Sequence, residues 1–305
     1  MPSLINDGFP FHSRASAALG LSKSEFRRVR EAKRLRPVFK HVYVDAAVPD
    51  SRWLRLQAVR LVAPAHTVVC DQFASWLYGV PTFRPSERHS LSPTLLVPHA
   101  ATRVTIPGVR CRQAIVPVED ITDLDGVLVT TPVRTTSDLL RKMWRPYALA
   151  AADAMAHHGL VKPDEVVDFV EELRGFAGIV QARSLAGLIE PLAESRGESW
   201  QRLRILDAGF PRPVAQFAVE DAAGSRRYLD LAYPELLIGI EYDGAEHHST
   251  DADRRHDRNR RTELETIWGW RFVVSRKADI LGDDPMFEHQ LGELLGTAPR
   301  MPRLW

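Results

Sequence analysis

Apolar stretches, and the turn residues between them, divide the chain into three segments. Residues 1–85 predict short helices and one strand pair, and residues 86–186 predict strands followed by helices. Residues 187–305 predict a helix, three strands, a second helix and a last strand. We therefore expect an α/β protein of the α+β type with three domains, the last built on a mixed sheet flanked by helices.

The first segment has the pattern of a winged helix-turn-helix. A short helix over 13–19 can stop at Gly20, and Ser22 or Ser24 can cap the helix that follows. Residues 35–44 are rich in β-formers and predict a hairpin. Two further helices are expected over 51–62 and 70–77.

The other two segments predict a larger number of elements. In the second, the expected strands are 94–97, 104–106, 113–116 and 127–130, and helices follow from 135 to 173. In the third, the expected order is helix 188–208, strands 214–219, 228–233 and 236–242, helix 252–268 and strand 271–275.

Acidic residues gather at one end of the predicted strands in the third segment. Side chains alternate along a strand, so Glu241 and Asp243 share a face. A turn at 234–235 would bring Asp230 back beside Glu241. The apolar run 236–240 predicts a central strand, where clustered carboxylates are costly unless a cation is bound. Oxygen ligands favour Mg²⁺ or Mn²⁺, which can activate water and stabilise charge on a phosphate. The alternative is a set of solvated acids.

Basic and histidine residues follow this acidic group. His247 and His248 either form local loop hydrogen bonds or supply an acid/base or phosphate contact. The arginines of helix 252–268 either track phosphates or form a solvated face with pairs such as Asp257 and Arg261. Arg276, at the end of the last strand, is a candidate for a DNA contact.

The N-terminal segment concentrates positive charge. Between residues 14 and 40 there are nine Lys or Arg and two Glu, whereas the whole chain has a net charge of +1. Duplex DNA is the partner that such a cluster on a winged helix predicts, and a solvated basic helix is the alternative. The candidate contacts on and after the second helix are Lys23, Arg27, Arg28, Arg30 and Arg34. Arg36 and Lys40 would lie on the wing.

The two cysteines and the lengths of the apolar stretches exclude several classes of protein and site. Cys70 and Cys111 are far apart and have no CxxC spacing, so we expect free thiols, at least partly buried, rather than a zinc site or disulfide framework. We see no signal peptide and no apolar stretch long enough to span a bilayer. A cytoplasmic protein without a membrane partner is the expectation.

The third segment resembles the PD-(D/E)XK nuclease superfamily, in particular the bacterial family related to very-short-patch-repair endonucleases. The matching pieces are GESWQRLR at 197–204, AGFPRPVAQ at 208–216, YLD at 228–230, EYDG at 241–244, the pair His247 and His248, Asp257 with Arg261, and GWR at 269–271 leading to Arg276. The resemblance implies a restriction-endonuclease-like domain that hydrolyses phosphodiester bonds with Mg²⁺ or Mn²⁺.

The same resemblance implies roles for individual residues. Asp230 and Glu241 would be metal ligands, and Glu198 would project toward them from the preceding helix. Position 243 is Asp where the superfamily has Lys. Either His247 or His248 takes over that function, or the site is degenerate.

The first segment resembles AbiEi-type antitoxins. The residues that carry this resemblance are 19–22, the basic helix, 42–44 and 74–79. Residues 131–140 resemble a recurring piece of the middle region of such proteins, in which Arg134 and Asp138 predict a structural ion pair. The alternative function is therefore a non-catalytic, antitoxin-like transcriptional regulator with a degenerate nuclease fold. A toxin or other protein would then be a possible partner, and an RNA substrate is a further alternative.

Overall fold

The structure is a computed structural model, and it describes residues 4–84, 87, 92–220, 224–244 and 261–305. The chain forms two compact units, Met1–Leu139 and Leu140–Trp305. The three domains predicted from the sequence, 1–85, 86–186 and 187–305, remain a prediction, because the division between the two units falls inside the second of them.

The first unit begins with a small helix-and-sheet module. Its elements are the 3₁₀ turn Ile5–Gly8, β1 (Phe11–His12), the 3₁₀ turns Ser13–Ala15 and Ala17–Leu19, α1 (Lys23–Glu31), β2 (Leu35–Phe39) and β3 (Val42–Asp45). The strands form an antiparallel sheet in the order β1-β3-β2. Helix α1 thus leads directly into a β-hairpin, in the order predicted for a winged helix-turn-helix.

A second sheet completes the first unit. Its elements are α2 (Arg52–Arg60), β4 (Val68–Val69), α3 (Asp71–Leu77), β5 (Thr94–Val97), β6 (Arg110–Gln113), β7 (Ile121–Leu124), β8 (Val127–Thr130) and α4 (Pro132–Lys142), which continues past residue 139. The strand order is β6-β5-β4-β8-β7, with parallel and antiparallel pairs. Buried aromatic and aliphatic side chains such as Phe39, Trp76 and Leu95 form one core under both sheets.

The second unit contains helices followed by a mixed sheet. Its elements are α5 (Arg145–His157), α6 (Pro163–Glu172), α7 (Ile179–Ala186), α8 (Arg196–Asp207), β9 (Val214–Glu220), β10 (Arg226–Tyr233), β11 (Ile238–Tyr242), the helical residues 261–268 (α9), β12 (Arg271–Ser275), α10 (Lys277–Leu281) and α11 (Met286–Leu295). The sheet order is β12-β11-β10-β9; the first three strands in sequence are antiparallel, and β12 runs parallel to β11.

Apolar side chains fix how this sheet packs. Ile238 and Ile240 pack with Trp200 of α8 in one buried cluster. Leu264 of α9 packs with Ala232 and Trp270 in a second cluster. The mixed sheet flanked by helices is therefore confirmed, as is the α+β class.

Several predicted elements differ from those observed. Residues 13–19 form two 3₁₀ turns, and residues 104–106 are not a strand. Helix 188–208 begins only at Arg196, because Ser195 caps it there. The strand expected over 236–242 begins at Ile238, because a 3₁₀ turn precedes it and Leu237 has a left-handed backbone (φ 51°).

Two side-chain expectations are confirmed. Cys70 is a free buried thiol, and Cys111 is free and half-buried. Arg134 and Asp138 form the expected ion pair at 3.3 Å.

Candidate functional site

The strand register places Asp230 and Glu241 side by side. Leu231 pairs with Ile240 and Ala232 pairs with Gly239 in the antiparallel pair β10–β11. One step further along this register, Asp230 lies opposite Glu241, the neighbour relationship predicted from the sequence. Because side chains of directly opposed residues share a face of a sheet, the two carboxylates lie at the same point of the strand pair.

Asp230 also holds the end of β11. Its Oδ2 accepts a hydrogen bond from the backbone N–H of Tyr242 at 2.8 Å. A carboxylate therefore replaces a strand carbonyl as the partner of this N–H, at the point where the paired region of the two strands ends. The Asp230 carboxylate is thus oriented toward the C-terminal end of β11, which carries Glu241.

Glu198 lies in the first turn of α8 and takes part in the hydrogen bonds at the start of this helix. The backbone N–H of Glu198 donates to Oγ of Ser195, the N-cap residue of α8, at 3.2 Å. Glu198 Oε2 accepts from the backbone N–H of Glu194 at 3.0 Å and from Nε2 of Gln216 at 3.1 Å. Capping is sufficient to explain an acidic residue in this first turn.

Gln216 links Glu198 to the strand pair. It lies on β9 between the pairs Leu229 with Phe217 and Leu231 with Ala215, and it is therefore opposite Asp230. Its backbone is left-handed (φ 50°), which is unusual within a strand. The side chain reaches Glu198 from this position, so neighbouring positions on β9, β10 and β11 converge with the start of α8.

Two arginines contact the acids of β11 and the residues after it. Nη1 of Arg261, on α9, lies 3.5 Å from Oε2 of Glu241, and both side chains are largely buried. Nε of Arg276 donates to Oδ2 of Asp243 at 2.9 Å, and both of these side chains are much more exposed. Arg276, predicted as a DNA contact, is thus bound to Asp243 in this structure.

A buried glutamine ties α8 to the same strands. Nε2 of Gln201 donates to the backbone carbonyl of Glu241 at 3.0 Å and to Oγ of Ser275 at 2.9 Å. The sequence alone did not predict roles for Gln201 and Gln216 or the contact between Arg261 and Glu241. For Gln201 a signal existed: three residues after Glu198, it shares a face of the helix.

Asp230 and Glu241 offer the oxygen donors that a hard divalent cation prefers. Mg²⁺ is commonly held by one or two carboxylates together with water and phosphate oxygens, and Asp230 and Glu241 supply two. Among residues 4–84, 87, 92–220, 224–244 and 261–305, no group of three His, Cys, Asp or Glu side chains is placed to hold a metal ion. His247 and His248 lie outside the described residues, and so does Asp257.

The basic helix α1 is a second candidate site. Ser22 caps it: its Oγ accepts from the Glu25 N–H at 3.3 Å, while Glu25 Oε2 accepts from the Ser22 N–H at 2.8 Å. The Ser22 hydroxyl also donates to Glu25 Oε2 at 2.5 Å, and this bond, followed by the bond from the Ser22 N–H, lowers the pKa of Glu25. No residue of α1 is buried, and Lys23, Arg27 and Arg28 are exposed.

The hairpin after α1 is fixed to it by cation–π contacts. The Arg30 guanidinium lies 5.6 Å from the ring centre of Phe26 and 5.3 Å from that of Tyr43 on β3. Arg34 is exposed, whereas Arg36 donates two hydrogen bonds to the Val48 carbonyl and is held against the module.

The sheet-rich part of the first unit contains a chain of alternating charges. Arg134 bridges Asp120 at 2.7 Å and Asp138 at 3.3 Å. Burial lowers the pKa of Arg134, but these two carboxylates outweigh burial and raise it overall. Arg112 continues the chain from Asp138 to Asp71. These contacts join the starts of α3 and α4 to the sheet.

Comparison with known proteins gives two kinds of relative. Residues 67–188 match the family model of the AbiEi antitoxin C-terminal domain. Over 219 residues the chain is 32% identical to the uncharacterized proteins MT2308 and Rv2248 of two Mycobacterium tuberculosis strains, which covers 72% of this chain and 78% of each relative. The chain belongs to the family of these mycobacterial proteins.

The antitoxin family model matches a part of the chain that differs from the part predicted from the sequence. The residues predicted to carry the antitoxin resemblance lie mainly within 19–79, whereas the matched segment begins at residue 67 and contains residues 131–140. The charge chain around Arg134 lies in this antitoxin-like domain. The crystal structure of the RV2827C protein from Mycobacterium tuberculosis is also similar, with 12% identity, a TM-score of 0.33, and coverage of 70% of this chain and 83% of that one. No described helix is both long and apolar enough to cross a membrane.

Proposed function

We propose that this protein is an antitoxin-like DNA-binding regulator that contacts duplex DNA through α1 and the β2–β3 hairpin. One observation carries the proposal: α1 is capped and joined to the hairpin, yet it leaves Lys23, Arg27 and Arg28 exposed. Exposed cations on a helix that precedes a hairpin can follow the phosphates beside a major groove. A toxin as protein partner belongs to the same proposal, supported by the antitoxin-like domain at 67–188.

The test compares two triple variants of the full chain. Lys23→Gln/Arg27→Gln/Arg28→Gln removes three of the four exposed cations of α1 and keeps Arg30, which contacts Phe26 and Tyr43. Arg226→Gln/Arg271→Gln/Lys277→Gln removes three exposed cations of the second unit and is the matched control. Binding to labelled duplex DNA is measured over a range of NaCl concentrations.

We expect the α1 variant to bind more weakly, with a flatter dependence of log affinity on log salt. Each lost phosphate contact reduces that slope by about 0.9, because fewer counterions are released. The control should keep the slope of the wild-type protein. An unchanged slope in the α1 variant, or no DNA binding by the wild type at low salt, would refute the proposal.

A second function is supported by a different observation, the opposed pair Asp230 and Glu241. We propose that these two residues bind Mg²⁺ or Mn²⁺ and that the second unit hydrolyses phosphodiester bonds. When bound, the metal would supply activated water and stabilise negative charge on the phosphate. Asp230 and Glu241 would hold it, and Gln201 would keep the Glu241 backbone in place. Glu198, Asp243, His247 and His248 remain proposed members of this site.

The test is cleavage of plasmid DNA and of RNA with Mn²⁺ or Mg²⁺, with and without a chelator. Glu241→Gln should abolish cleavage. Glu235→Gln is the matched control, because Glu235 is an exposed acid in the turn of the same strand pair. Cleavage that survives Glu241→Gln would place the activity elsewhere. If the wild-type protein cleaves neither DNA nor RNA, only the proposal of a DNA-binding regulator remains.

A further inference from the structure

Arg261 contacts Glu241, one of the two proposed metal ligands. Its Nη1 lies 3.5 Å from Oε2 of Glu241, and its side chain is 22% exposed, against 10% for Glu241. A second arginine near this segment, Arg276, is 73% exposed and contacts Asp243. Two neighbouring acids therefore each face a guanidinium, one pair in a largely buried position and the other at the surface.

A largely buried carboxylate needs a positive partner, because burial without one is costly. Arg261 provides this partner for Glu241 in the protein without metal. A divalent ion at Glu241 would take over that role, and the guanidinium would then be released beside the ion. A guanidinium presents a planar set of donors that matches two oxygens of a phosphate.

We propose that Arg261 binds the phosphate of a phosphodiester ligand beside the metal ion. The inference rests on the proposed metal-dependent function of the second unit. Arg261 therefore has two alternating partners. It pairs with Glu241 when the metal is absent and with a phosphate when the metal is bound.

This alternation couples metal and phosphate. A metal ion must displace Arg261 from Glu241, so Arg261 opposes metal binding. The released Arg261 is then available to the phosphate, so metal favours phosphate binding, and by reciprocity phosphate favours metal binding. A purely structural ion pair would also oppose metal binding at Glu241, but it would not make the effect of the metal on phosphate binding depend on Arg261.

The experiment uses the full chain and a probe too small for the basic helix to bind tightly, the dinucleotide dTpdT. Mn²⁺ affinity is measured by calorimetry. The dTpdT affinity is measured by phosphorus NMR with and without Ca²⁺, which occupies oxygen sites and leaves the binding equilibrium undisturbed by turnover. The variants are Arg261→Gln, Arg261→Lys and, as the matched control, Arg226→Gln, which removes an exposed arginine of the same unit.

We expect Ca²⁺ to raise the dTpdT affinity of the wild type by about fivefold or more. Arg261→Gln should bind Mn²⁺ about threefold more tightly, since a partly screened ion pair no longer competes, and it should lose the Ca²⁺ effect on dTpdT. Arg261→Lys should keep part of that effect, and Arg226→Gln should keep all of it.

Three outcomes overturn the inference. The first is a Mn²⁺ affinity of Arg261→Gln equal to or below that of the wild type. The second is a Ca²⁺ effect on dTpdT that survives this substitution. The third, decisive if Arg261→Gln does not fold, is a folded Arg261→Lys that loses the Ca²⁺ effect entirely. A wild type that binds no Mn²⁺ is distinguishable from all three, because it removes the proposed metal site itself and the inference with it.

Discussion

Arg202 and Asp153 form an ion pair inside the second unit, with Nη2 2.7 Å from Oδ2 and each side chain 1% exposed. Arg202 Nη1 also donates to the Leu188 carbonyl at 2.5 Å, and Asp153 Oδ1 accepts from the Glu190 N–H at 2.9 Å. The pair therefore joins α5 and α8 to the segment between α7 and α8. Burial is the largest influence on Asp153 and raises its pKa, although Arg202 acts in the opposite direction.

We expect Arg202→Met to lower the free energy of unfolding by ~3–5 kcal/mol, because Asp153 would be left buried without its cation. Asp153→Leu/Arg202→Met, which removes both charges, should cost less than the sum of the two single changes. Urea denaturation measures all three variants. Strict additivity of the two single changes would mean that the pair is not coupled.

The cap of α1 should control the basic surface. Ser22→Ala removes the acceptor of the Glu25 N–H and should cost ~1 kcal/mol of local helix stability, whereas Ser22→Gly should cost only a few tenths. We expect the alanine variant to show faster amide exchange in α1 and weaker DNA binding than the glycine variant. Equal behaviour of the two variants would show that the cap has no part in presenting Lys23, Arg27 and Arg28.

Gly197 gives α8 its close approach to β11. A Cβ at this position would lie 2.0 Å from Cε1 of Tyr242. Gly197→Ala should therefore destabilise the protein by ~1–3 kcal/mol, as overpacking does, and Tyr242→Ala in the same chain should offset part of the loss.

The control for this prediction is Gly187→Ala. Gly187 has an ordinary helical φ of −67°, and a Cβ added there would meet no described atom within 4 Å. That change should be neutral or slightly stabilising. Thermal unfolding compares the variants, and a loss at Gly187 equal to that at Gly197 would contradict the packing argument.

His12 should make the stability of the first unit depend on pH. Burial first, then the charges of His41 and Arg14, lower its pKa in the folded protein, while a backbone contact with Pro107 acts in the opposite direction. As the pH falls, His12 is therefore protonated at a higher pH in the unfolded chain than in the folded protein. Stability contributed by neutral His12 is fully present above the unfolded value of 6.5 and is lost as the pH falls through the lowered folded pKa.

We expect His12→Asn to weaken the decline of the unfolding free energy between pH ~7 and ~5. In the wild type, His12 Nδ1 accepts a hydrogen bond from the backbone N–H of Arg14 at 3.2 Å. Asparagine retains a side-chain acceptor for this N–H. His66→Asn is the control, because His66 is exposed in the same unit. Identical pH profiles for His12→Asn and the wild type would exclude His12 as the titrating group.

Strands were predictable where an apolar run ends at clear turn residues. The predicted strands 94–97, 127–130 and 271–275 match β5, β8 and β12 residue for residue. Strands β1 and β4 have two residues each, too few to show a period. The predicted strand 236–242 began two residues too early, because Leu236 and Leu237 are apolar in sequence. Both are substantially exposed in a turn outside the strand.

The candidate site was predictable only as far as strand geometry determines it. The alternation of side chains along a strand, together with one predicted turn, was enough to place Asp230 beside Glu241. The contact of Arg261 with Glu241 depends on how α9 packs against the sheet, which no local pattern encodes. The bond of Glu198 to Gln216 depends on a left-handed residue inside a strand, and glutamine gives no sequence signal for that conformation.

The left-handed backbone of Gln216 also reverses the usual ranking of amino acids at one position of a β-strand. Valine, isoleucine and threonine favour strands elsewhere but fit a φ of 50° poorly, whereas glycine, asparagine and aspartate adopt it readily. In a saturation library of β9 scored for folded protein, we expect position 216 to accept the residues that its neighbours reject. Such an inverted tolerance profile would mark this kink in a family alignment without any structure.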